Sequence, residues 1–504
     1  MRQKLVVIGL DGATFRYLDP LMAQGKLPTL AKIAKEGVRA TLESVRPPIS
    51  CPAWFCYSTG RNPGKLGIFG WRNFDPATCG DRFNDYKALT TAEMWDYLGQ
   101  AGLKSAVINI PTMFPPKAIH GYMVSGMQAQ DHQMYTHPAE LKEELIDRFD
   151  YRVQPKAKML WDHEEAYKDI VALFKSRLDV ALHLLDKVDL LHTTIFHIDE
   201  IQHNAWNQPE LATAWEHIDG LLADFLDALP EGTDVLFMSD HGFCERSVSL
   251  NLNTWLAQEG YLVRHENKAG EVLRRLGITR PKLERLLKRT HLLDLAKAIV
   301  PDNIQTVVKE EDGSTSHQRR LAEIDWDRTV AFCSTHFTLH VLDPEKRQEI
   351  MDKLEALEGP KGGKVFQEVL PAEDHLHGDK MSQAPQILLL PNEPYAVGDA
   401  VGKPLWTESG PANGGHAMDG ILMATGPSFK PGASPEDAKL VDLAPTILHY
   451  FGLPVTEDMD GTVLDILADE RAVTYTKEDA ATGAFSEQEL EQVEERLRGL
   501  GYLE

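Results

Sequence analysis

Short apolar runs alternate with longer amphipathic segments along most of the chain. The apolar runs predict strands at residues 4–10, 39–45, 105–110, 190–196, 235–238, 386–390 and 420–425. Apolar residues three and four positions apart predict helices at 30–36, 93–101, 139–149, 167–185, 211–229, 252–258 and 443–451. This alternation predicts an α/β fold with a mostly parallel central sheet and helices on both faces.

Acidic and imidazole side chains cluster beside four of these strands. They follow the strands at 4–10, 190–196 and 235–238, and they precede the strand at 420–425 in a glycine-rich segment, 413–416, that is predicted to form a turn. The candidate ligands are Asp11, Asp199, His203, Asp240, His241 and His416. Each cluster alone is more typical of a turn or a surface histidine. Four clusters together indicate a metal site at one edge of the sheet.

Asp240 and His241 can bind at this edge only if the backbone bends between them. Adjacent side chains on an extended strand point to opposite faces of the sheet, so both reach one ion only if the chain turns at Asp240. Gly242 follows directly and permits such a turn.

Ser50 is the candidate nucleophile. It follows the predicted strand at 39–45, and Pro52 is suited to the first turn of a helix, so Ser50 is expected just before a helix amino terminus. Exposed amides and the helix dipole favour an anion there, and a divalent metal could ionise the hydroxyl. A simple helix cap is the alternative explanation for a serine in this position.

The amino-acid composition and net charge argue against several classes of partner and location. The 504 residues are 43% hydrophobic and 25% charged, which is ordinary for a soluble globular protein. A formal charge of −24 argues against a nucleic-acid polymer or an anionic membrane as the main partner. The five cysteines form no CxxC pattern and no evident disulfide framework, and no apolar stretch reaches the ~20 residues of a membrane span. A cytoplasmic protein is therefore expected.

We expect a catalytic core formed by residues 1–263 and 321–470, with an insertion and a tail. The insertion, 264–320, has a helical pattern and an excess of Lys and Arg in an acidic protein. It could be a basic cap that holds an anionic substrate, or a solvated helical face. The tail, 471–504, contains a charged amphipathic helix at 487–504 that could pack on the core or on a second subunit of a homo-oligomer.

Several motifs in a fixed order resemble the type I phosphodiesterase/nucleotide pyrophosphatase group of the alkaline phosphatase superfamily. The resemblance spans residues 4 to about 465 and rests on Gly9-Leu10-Asp11-Gly12, Ser50 before Pro52, Thr59-Gly60 with Pro63 and Gly67-Ile68, Asp199 with His203, Ser239-Asp240-His241-Gly242, Gly415-His416, and the segments 442–448 and 460–461. It implies an alkaline-phosphatase-like three-layer sandwich that hydrolyses small-molecule phosphate esters.

The resemblance also implies two divalent metal ions, usually zinc, with manganese possible. One ion would be held by Asp199, His203 and His416. The other would be held by Asp11, Asp240 and His241, with the Ser50 oxygen as a further ligand. Ser50 would attack phosphorus and form a covalent phosphoseryl intermediate.

The chain departs from that group around the nucleophile. Ser50 stands where threonine is typical, Pro52-Ala53-Trp54 stands for Pro-Asn-His, and Trp71 occupies the position expected for a phosphate-binding asparagine. These changes bear on the substrate rather than on the core reaction. The remaining candidates for substrate binding are Lys65, Trp71, Arg72 and Asn73.

Three alternative functions stay open at this point. A sulfatase would fit Ser50-Cys51-Pro52-Ala53, but Trp54 replaces its arginine, and sulfatases favour a single calcium with oxygen ligands. A phosphomutase of the superfamily would carry its large insertion directly after the nucleophile region. A non-catalytic binding protein would be expected to lose a ligand or the nucleophile, and all seven positions are filled here.

Overall fold

The structure is a computed structural model that describes residues 4–156, 163–265, 321–410 and 412–482. The predicted basic cap, apart from residues 264–265, and the predicted tail helix at 487–504 lie outside the described residues. The helices longer than one 3₁₀ turn are α1 Phe15–Ala23, α2 Pro28–Glu36, α3 Ser50–Thr59, α4 Pro63–Leu66, α5 Met94–Gln100, α6 Leu141–Phe149, α7 His163–Leu185, α8 His197–Ala205, α9 Pro209–Asp227, α10 Leu252–Gln258, α11 Arg347–Glu355 and α12 Leu443–Tyr450.

The strands begin and end close to the predicted positions where a prediction was made. They are β1 Leu5–Leu10, β2 Val38–Glu43, β3 Arg72–Asp75, β4 Gly80–Phe83, β5 Ser105–Ile108, β6 Gly121–Val124, β7 Thr136–His137, β8 Leu190–Ile195, β9 Asp234–Met238, β10 Gly242–Glu245, β11 Val248–Asn251, β12 Ala331–Thr335, β13 Thr338–Val341, β14 Phe366–Pro371, β15 Ile387–Pro391, β16 Tyr395–Gly398, β17 Trp406–Glu408, β18 Gly414–Ala417, β19 Asp419–Thr425, β20 Val455–Thr456 and β21 Tyr475–Thr476.

The central sheet has eight strands in the order β2-β19-β9-β1-β8-β5-β6-β7. Strands β9, β1, β8, β5 and β6 are parallel to their neighbours within this block. Strand β19 is antiparallel to both β9 and β2. The predicted mostly parallel α/β sheet is therefore confirmed. Because β19 runs the other way, its first residue lies at the same edge as the carboxyl ends of β1, β8 and β9.

Helices cover both faces of this sheet, as the alternating burial of β1 shows. Val6 and Ile8 pack in one hydrophobic cluster with residues of α1, α2, α7, α8 and α9. Leu5 and Val7 pack in a second cluster with residues of α3, α5 and α12. Successive side chains of a strand point to opposite faces, so the two clusters are the two interfaces of a three-layer sandwich.

Strands β12 to β15 and helix α11, here called the antiparallel unit, have a separate core. Their sheet has the order β12-β13-β15-β14, and its core includes Leu339, Ile350 and Ile387. The predicted division into 1–263 and 321–470 did not distinguish this unit from the rest of the core. Its strands are mostly short, and only the apolar run at 386–390 stood out in the sequence.

Two local predictions near the candidate site were wrong. Ser50, which was predicted to lie just before a helix, is the first residue of α3, and because Ile49 is the capping residue the alternative explanation of Ser50 as a helix cap is wrong too. The segment 413–416 is not a turn as a whole, because Gly414–Ala417 forms strand β18. That strand pairs antiparallel with β10, and His416 lies opposite Phe243. Cross-strand pairing overrides the turn preference of the two glycines.

Candidate metal centre

The sheet topology brings all six predicted ligands and Ser50 to one edge. Asp11 follows β1 directly, and Asp240 follows β9 by two residues. Asp199 and His203 lie on α8, which begins directly after β8, and their spacing of four places them on one helix face. His416 reaches the same edge from β18, just before the antiparallel strand β19.

One group of candidate ligand atoms is formed by Asp199, His203 and His416. The Nε2 atoms of the two histidines are 3.1 Å apart. The Asp199 carboxylate lies 3.5 Å from His203 Nε2 and 3.4 Å from His416 Nε2. Two neutral imidazoles with facing lone pairs repel each other, so this spacing favours a positive charge near both nitrogens, which a proton on His416 or a metal ion would supply.

A second group is formed by Asp11, Asp240, His241 and Ser50. His241 Nε2 lies 3.2 Å from Asp240 Oδ2, 3.7 Å from Asp11 Oδ1 and 3.1 Å from Ser50 Oγ. The two groups adjoin, since the His241 and His416 rings stack with centroids 3.6 Å apart. His241 is also within 4.8 Å of ligand atoms of Asp199 and His416.

All three histidines use Nδ1 in the same way. Nδ1 lies 3.0 Å from Gly414 O in His203, 3.1 Å from Gly242 O in His241 and 2.9 Å from Pro48 O in His416. A backbone carbonyl only accepts hydrogen bonds, so each Nδ1 must donate its proton. Each neutral ring therefore presents the Nε2 lone pair to the site, as metal-binding histidines do.

The carboxylates also divide their two oxygens between the protein and the site. The Gly12 amide donates to Asp240 Oδ1 at 3.3 Å, and the Trp54 indole N–H donates to Asp11 Oδ2 at 3.3 Å. The other oxygens, Asp11 Oδ1 and Asp240 Oδ2, are buried and accept no hydrogen bond. Asp199 Oδ1 is also buried and also accepts none. Buried oxygens without a donor are costly unless a cation pairs with them.

Burial and mutual repulsion shift the pKa values of these acids. Burial, followed by the charges of Asp240 and Asp199, raises the pKa of Asp11 well above its ordinary value. Burial and the charge of Asp199 raise the pKa of Asp240 to about 7. Burial alone would also raise the pKa of Asp199, but His203 and His416 outweigh it and hold that pKa low.

The histidines respond in two directions. Burial lowers the pKa of His203, and burial together with the charge of His416 lowers the pKa of His241 well below its ordinary value. Burial would lower the pKa of His416 too, but its interaction with Asp199 raises that pKa instead. The site as a whole attracts positive charge, which is what a divalent metal supplies.

The site opens into a cavity of about 730 Å³ whose wall includes His203 and His416. Trp71 and Arg72, two of the four candidate substrate-binding residues, lie in this wall. Trp71 stacks on Phe83, with ring centroids 6.4 Å apart, and Arg72 pairs with Asp81 at 2.6 Å.

Lys65 and Asn73 are bonded elsewhere. Lys65 Nζ lies 2.8 Å from Asp460 Oδ1 and donates to the carbonyl of Asp458. Asn73 is buried, accepts a hydrogen bond from the Phe69 amide and donates one to the Gly67 carbonyl. The structure therefore brings neither residue into the cavity wall.

The antiparallel unit supplies cavity residues that the sequence analysis missed. Thr335 ends β12, and His336 and Phe337 form the turn into β13. The Phe337 ring lies 6.4 Å from the His416 ring at an angle of 21°. No periodic pattern marks a two-residue turn as part of a remote site, so only the tertiary structure reveals this wall.

Arg246 was also missed. It is 4% exposed and donates to the carbonyls of Pro391, Tyr395 and His416. It thereby connects strand β18, which carries the candidate ligand His416, to the antiparallel unit. A lone arginine in a sequence carries no signal for such a role.

None of the described helices is long and apolar enough to cross a membrane.

A search of curated protein sequences gives no significant match to this chain. Solved structures of similar fold include phosphonoacetate hydrolase from Sinorhizobium meliloti 1021 in complex with phosphonoformate, at 18% identity and a TM-score of 0.53, covering 88% of this chain and 94% of that one. Murine ectonucleotide pyrophosphatase/phosphodiesterase 5 is similar at 15% identity and a TM-score of 0.54, covering 92% of this chain and all of that one.

The human form of the latter protein has a TM-score of 0.53 at 15% identity. These similarities place the fold among alkaline-phosphatase-like enzymes. Residues 5–419 match the sequence profile of the type I phosphodiesterase/nucleotide pyrophosphatase family. The chain belongs to this family of the alkaline phosphatase superfamily and is a phosphoric ester hydrolase.

Proposed function

We propose that the protein hydrolyses phosphodiester or pyrophosphate bonds at a two-metal site, with Ser50 as the nucleophile. The supporting observation is the convergence of atoms that can bind a metal ion: three imidazole Nε2 atoms, three buried carboxylate oxygens without a hydrogen-bond donor and the Ser50 hydroxyl meet at one sheet edge. Nitrogen and oxygen donors of this kind suit zinc, and manganese is the second choice.

We assign these residues to two ions according to their contacts. Asp199, His203 and His416 would hold one ion. Asp11, Asp240 and His241 would hold the other, with Ser50 Oγ beside it. Bound divalent cations supply positive charge that lowers the pKa of a serine hydroxyl and neutralises phosphate oxygens.

Ser50 is in position to attack. It is 7% exposed, and as the first residue of α3 it lies at the positive end of that helix, where amides of the first turn favour phosphoryl oxygens. A bond forms between Ser50 Oγ and phosphorus while the bond from phosphorus to the leaving oxygen breaks. Water then cleaves the phosphoseryl ester, which releases the phosphate product and restores the Ser50 hydroxyl.

The cavity favours a substrate with an organic substituent on phosphorus. Phe337 and Ile49 belong to one apolar cluster in the wall, and Trp71 packs against it. Such a surface binds an aryl or other apolar group that a small monoester lacks. We therefore propose a small-molecule phosphodiester as substrate, while a cytoplasmic location and a homo-oligomeric state stay predictions.

The test combines metal analysis with a substrate screen. Purified protein is expected to contain two equivalents of zinc or manganese and to prefer bis(4-nitrophenyl) phosphate over 4-nitrophenyl phosphate and 4-nitrophenyl sulfate. One calcium ion without a transition metal would contradict the metal site, and a preference for the sulfate would identify a sulfatase. The Ser50→Ala variant should lose turnover, with Cys51→Ala as the matched control.

A further inference from the structure

We propose that Trp54 is a positioning residue for the metal site, and that its indole N–H decides which oxygen of Asp11 faces the metal and Ser50. The inference rests on the two-metal function proposed above. It assigns a specific task to a side chain that would otherwise count as core packing.

Trp54 connects the nucleophile helix to the Asp11 carboxylate. Ser50 and Trp54 are four residues apart on α3 and therefore lie on the same helix face. Trp54 is fully buried, and its Nε1 lies 3.3 Å from Asp11 Oδ2. An indole N–H only donates, so it binds a lone pair of Oδ2. Asp11 Oδ1 is left without a donor, 3.7 Å from His241 Nε2.

The ring is held in one orientation by its surroundings. A Cβ atom on Gly9 would lie 2.8 Å from Trp54 Cη2, so β1 admits the indole only because this position is glycine. The rings of Tyr57 and His192 meet the indole edge-on, at angles of 89° and 88°. His192 is in turn fixed between the Tyr57 hydroxyl at 2.9 Å and Thr194 Oγ1 at 2.8 Å.

The arrangement at Asp11 matches that at Asp240. There the Gly12 amide binds Oδ1, and Oδ2 lies 3.2 Å from His241 Nε2. Each carboxylate thus has one oxygen bonded to a protein N–H and one left for the site. The terminal torsion of an aspartate is soft, so without the indole N–H Asp11 could rotate. Its Oδ2 would then also be buried without a donor.

The variant Trp54→Phe tests this role, because it keeps an aromatic ring but removes the N–H. The probe is zinc alone, titrated into metal-stripped protein against a chelating dye. Loss of a group that orients a metal ligand typically weakens binding 10–100-fold. We expect a loss of that size for one of the two zinc ions and little change for the other.

Trp95→Phe is the matched control. Trp95 is also buried, and its Nε1 donates to Glu93 Oε2 at 3.0 Å on α5, away from the metal ligands. This control loses the same kind of hydrogen bond to a carboxylate. It should lower resistance to urea as Trp54→Phe does, but should leave both zinc affinities unchanged.

The zinc titrations distinguish a failure of this inference from a failure of the proposed function. If the wild type binds two zinc ions and the Trp54→Phe variant binds both with the same affinities as the wild type, the role of Trp54 is overturned and the two-metal site is not. Wild-type protein that binds fewer than two ions would overturn the two-metal proposal, and this inference with it.

A measurement on the unmodified protein tests the same proposal if the Trp54→Phe variant fails to fold. Nine tryptophans contribute indole signals to a ¹H–¹⁵N spectrum. We expect at least one indole proton that exchanges slowly with deuterium and also shifts when zinc is added. If no signal shows both properties, the Trp54 proposal is overturned whatever the variant does.

Discussion

Replacing the candidate metal ligand Asp240 with asparagine should stabilise the metal-free protein. Asp240 is fully buried, its Oδ2 has no donor, and burial together with the charge of Asp199 raises its pKa to about 7 from an ordinary 3.8. The variant Asp240→Asn removes the charge and keeps an oxygen that can accept from the Gly12 amide. Its new amide group can donate to His241 Nε2, which lies 3.2 Å from the present Oδ2.

The size of this stabilisation follows from the raised pKa of Asp240. Because the folded-state pKa lies above the unfolded value, the carboxyl group costs no stability below about pH 4, and the cost grows until the pH passes about 7. Each pKa unit corresponds to about 1.4 kcal/mol, so the full difference is about 4 kcal/mol, and partial hydration reduces it. Asp240→Asn should therefore raise the free energy of unfolding by about 2–4 kcal/mol at pH 8 and by almost nothing at pH 4.

The assay is urea unfolding in EDTA at both pH values, repeated at pH 8 with excess zinc. With zinc present the order should reverse, because an amide is a weaker ligand and the wild type gains more from binding. Asp219→Asn is the control: this buried carboxylate accepts from the amides of Thr29 and Leu30 at the start of α2, at 3.0 and 2.8 Å. Its replacement should destabilise the protein by about 1–3 kcal/mol.

A single result would refute the reasoning. If Asp240→Asn lowers stability in EDTA at pH 8, the carboxylate has a partner in the metal-free protein and its unpaired oxygen does not mark a cation site. A gain in stability that is equal at pH 4 and pH 8 would show that the gain does not come from removal of the charge.

Three further predictions concern catalysis and packing. Ser50→Ala should lower turnover of bis(4-nitrophenyl) phosphate by several orders of magnitude with unchanged circular dichroism, and near-normal turnover would show that water attacks directly. Trp71→Ala should lower kcat/KM for that diester about fivefold more than for 4-nitrophenyl phosphate, through loss of aromatic contact worth about 1 kcal/mol; equal losses would show that the substituent does not contact Trp71. Arg246→Lys should lower the unfolding free energy by about 2–4 kcal/mol and weaken zinc binding, because three carbonyls including that of His416 lose donors; unchanged zinc affinity would separate Arg246 from the site.

The local pattern of the sequence determined the layers of the fold and the candidate ligands. Strand β1 is an uninterrupted apolar run because both its faces are buried under helices. Such a run can be recognised in the sequence without any knowledge of the neighbouring elements. Aspartates that follow strands were also predictable as one group, because the carboxyl ends of parallel strands meet at one edge. The family motifs connected these residues to phosphate ester hydrolysis, and the family match agrees.

The tertiary structure alone decided how the candidate ligands are oriented and what surrounds them. Pairing with β10 makes a strand of a glycine-rich segment expected to turn. Lys65 is turned toward Asp460, and the β12–β13 turn carries Phe337 into the cavity wall. Periodicity reports which face of an element is apolar, whereas pairing partners and side-chain contacts depend on residues far apart in the chain. The indole of Trp54 on Asp11 is such a contact, and no pattern within α3 or β1 contains it.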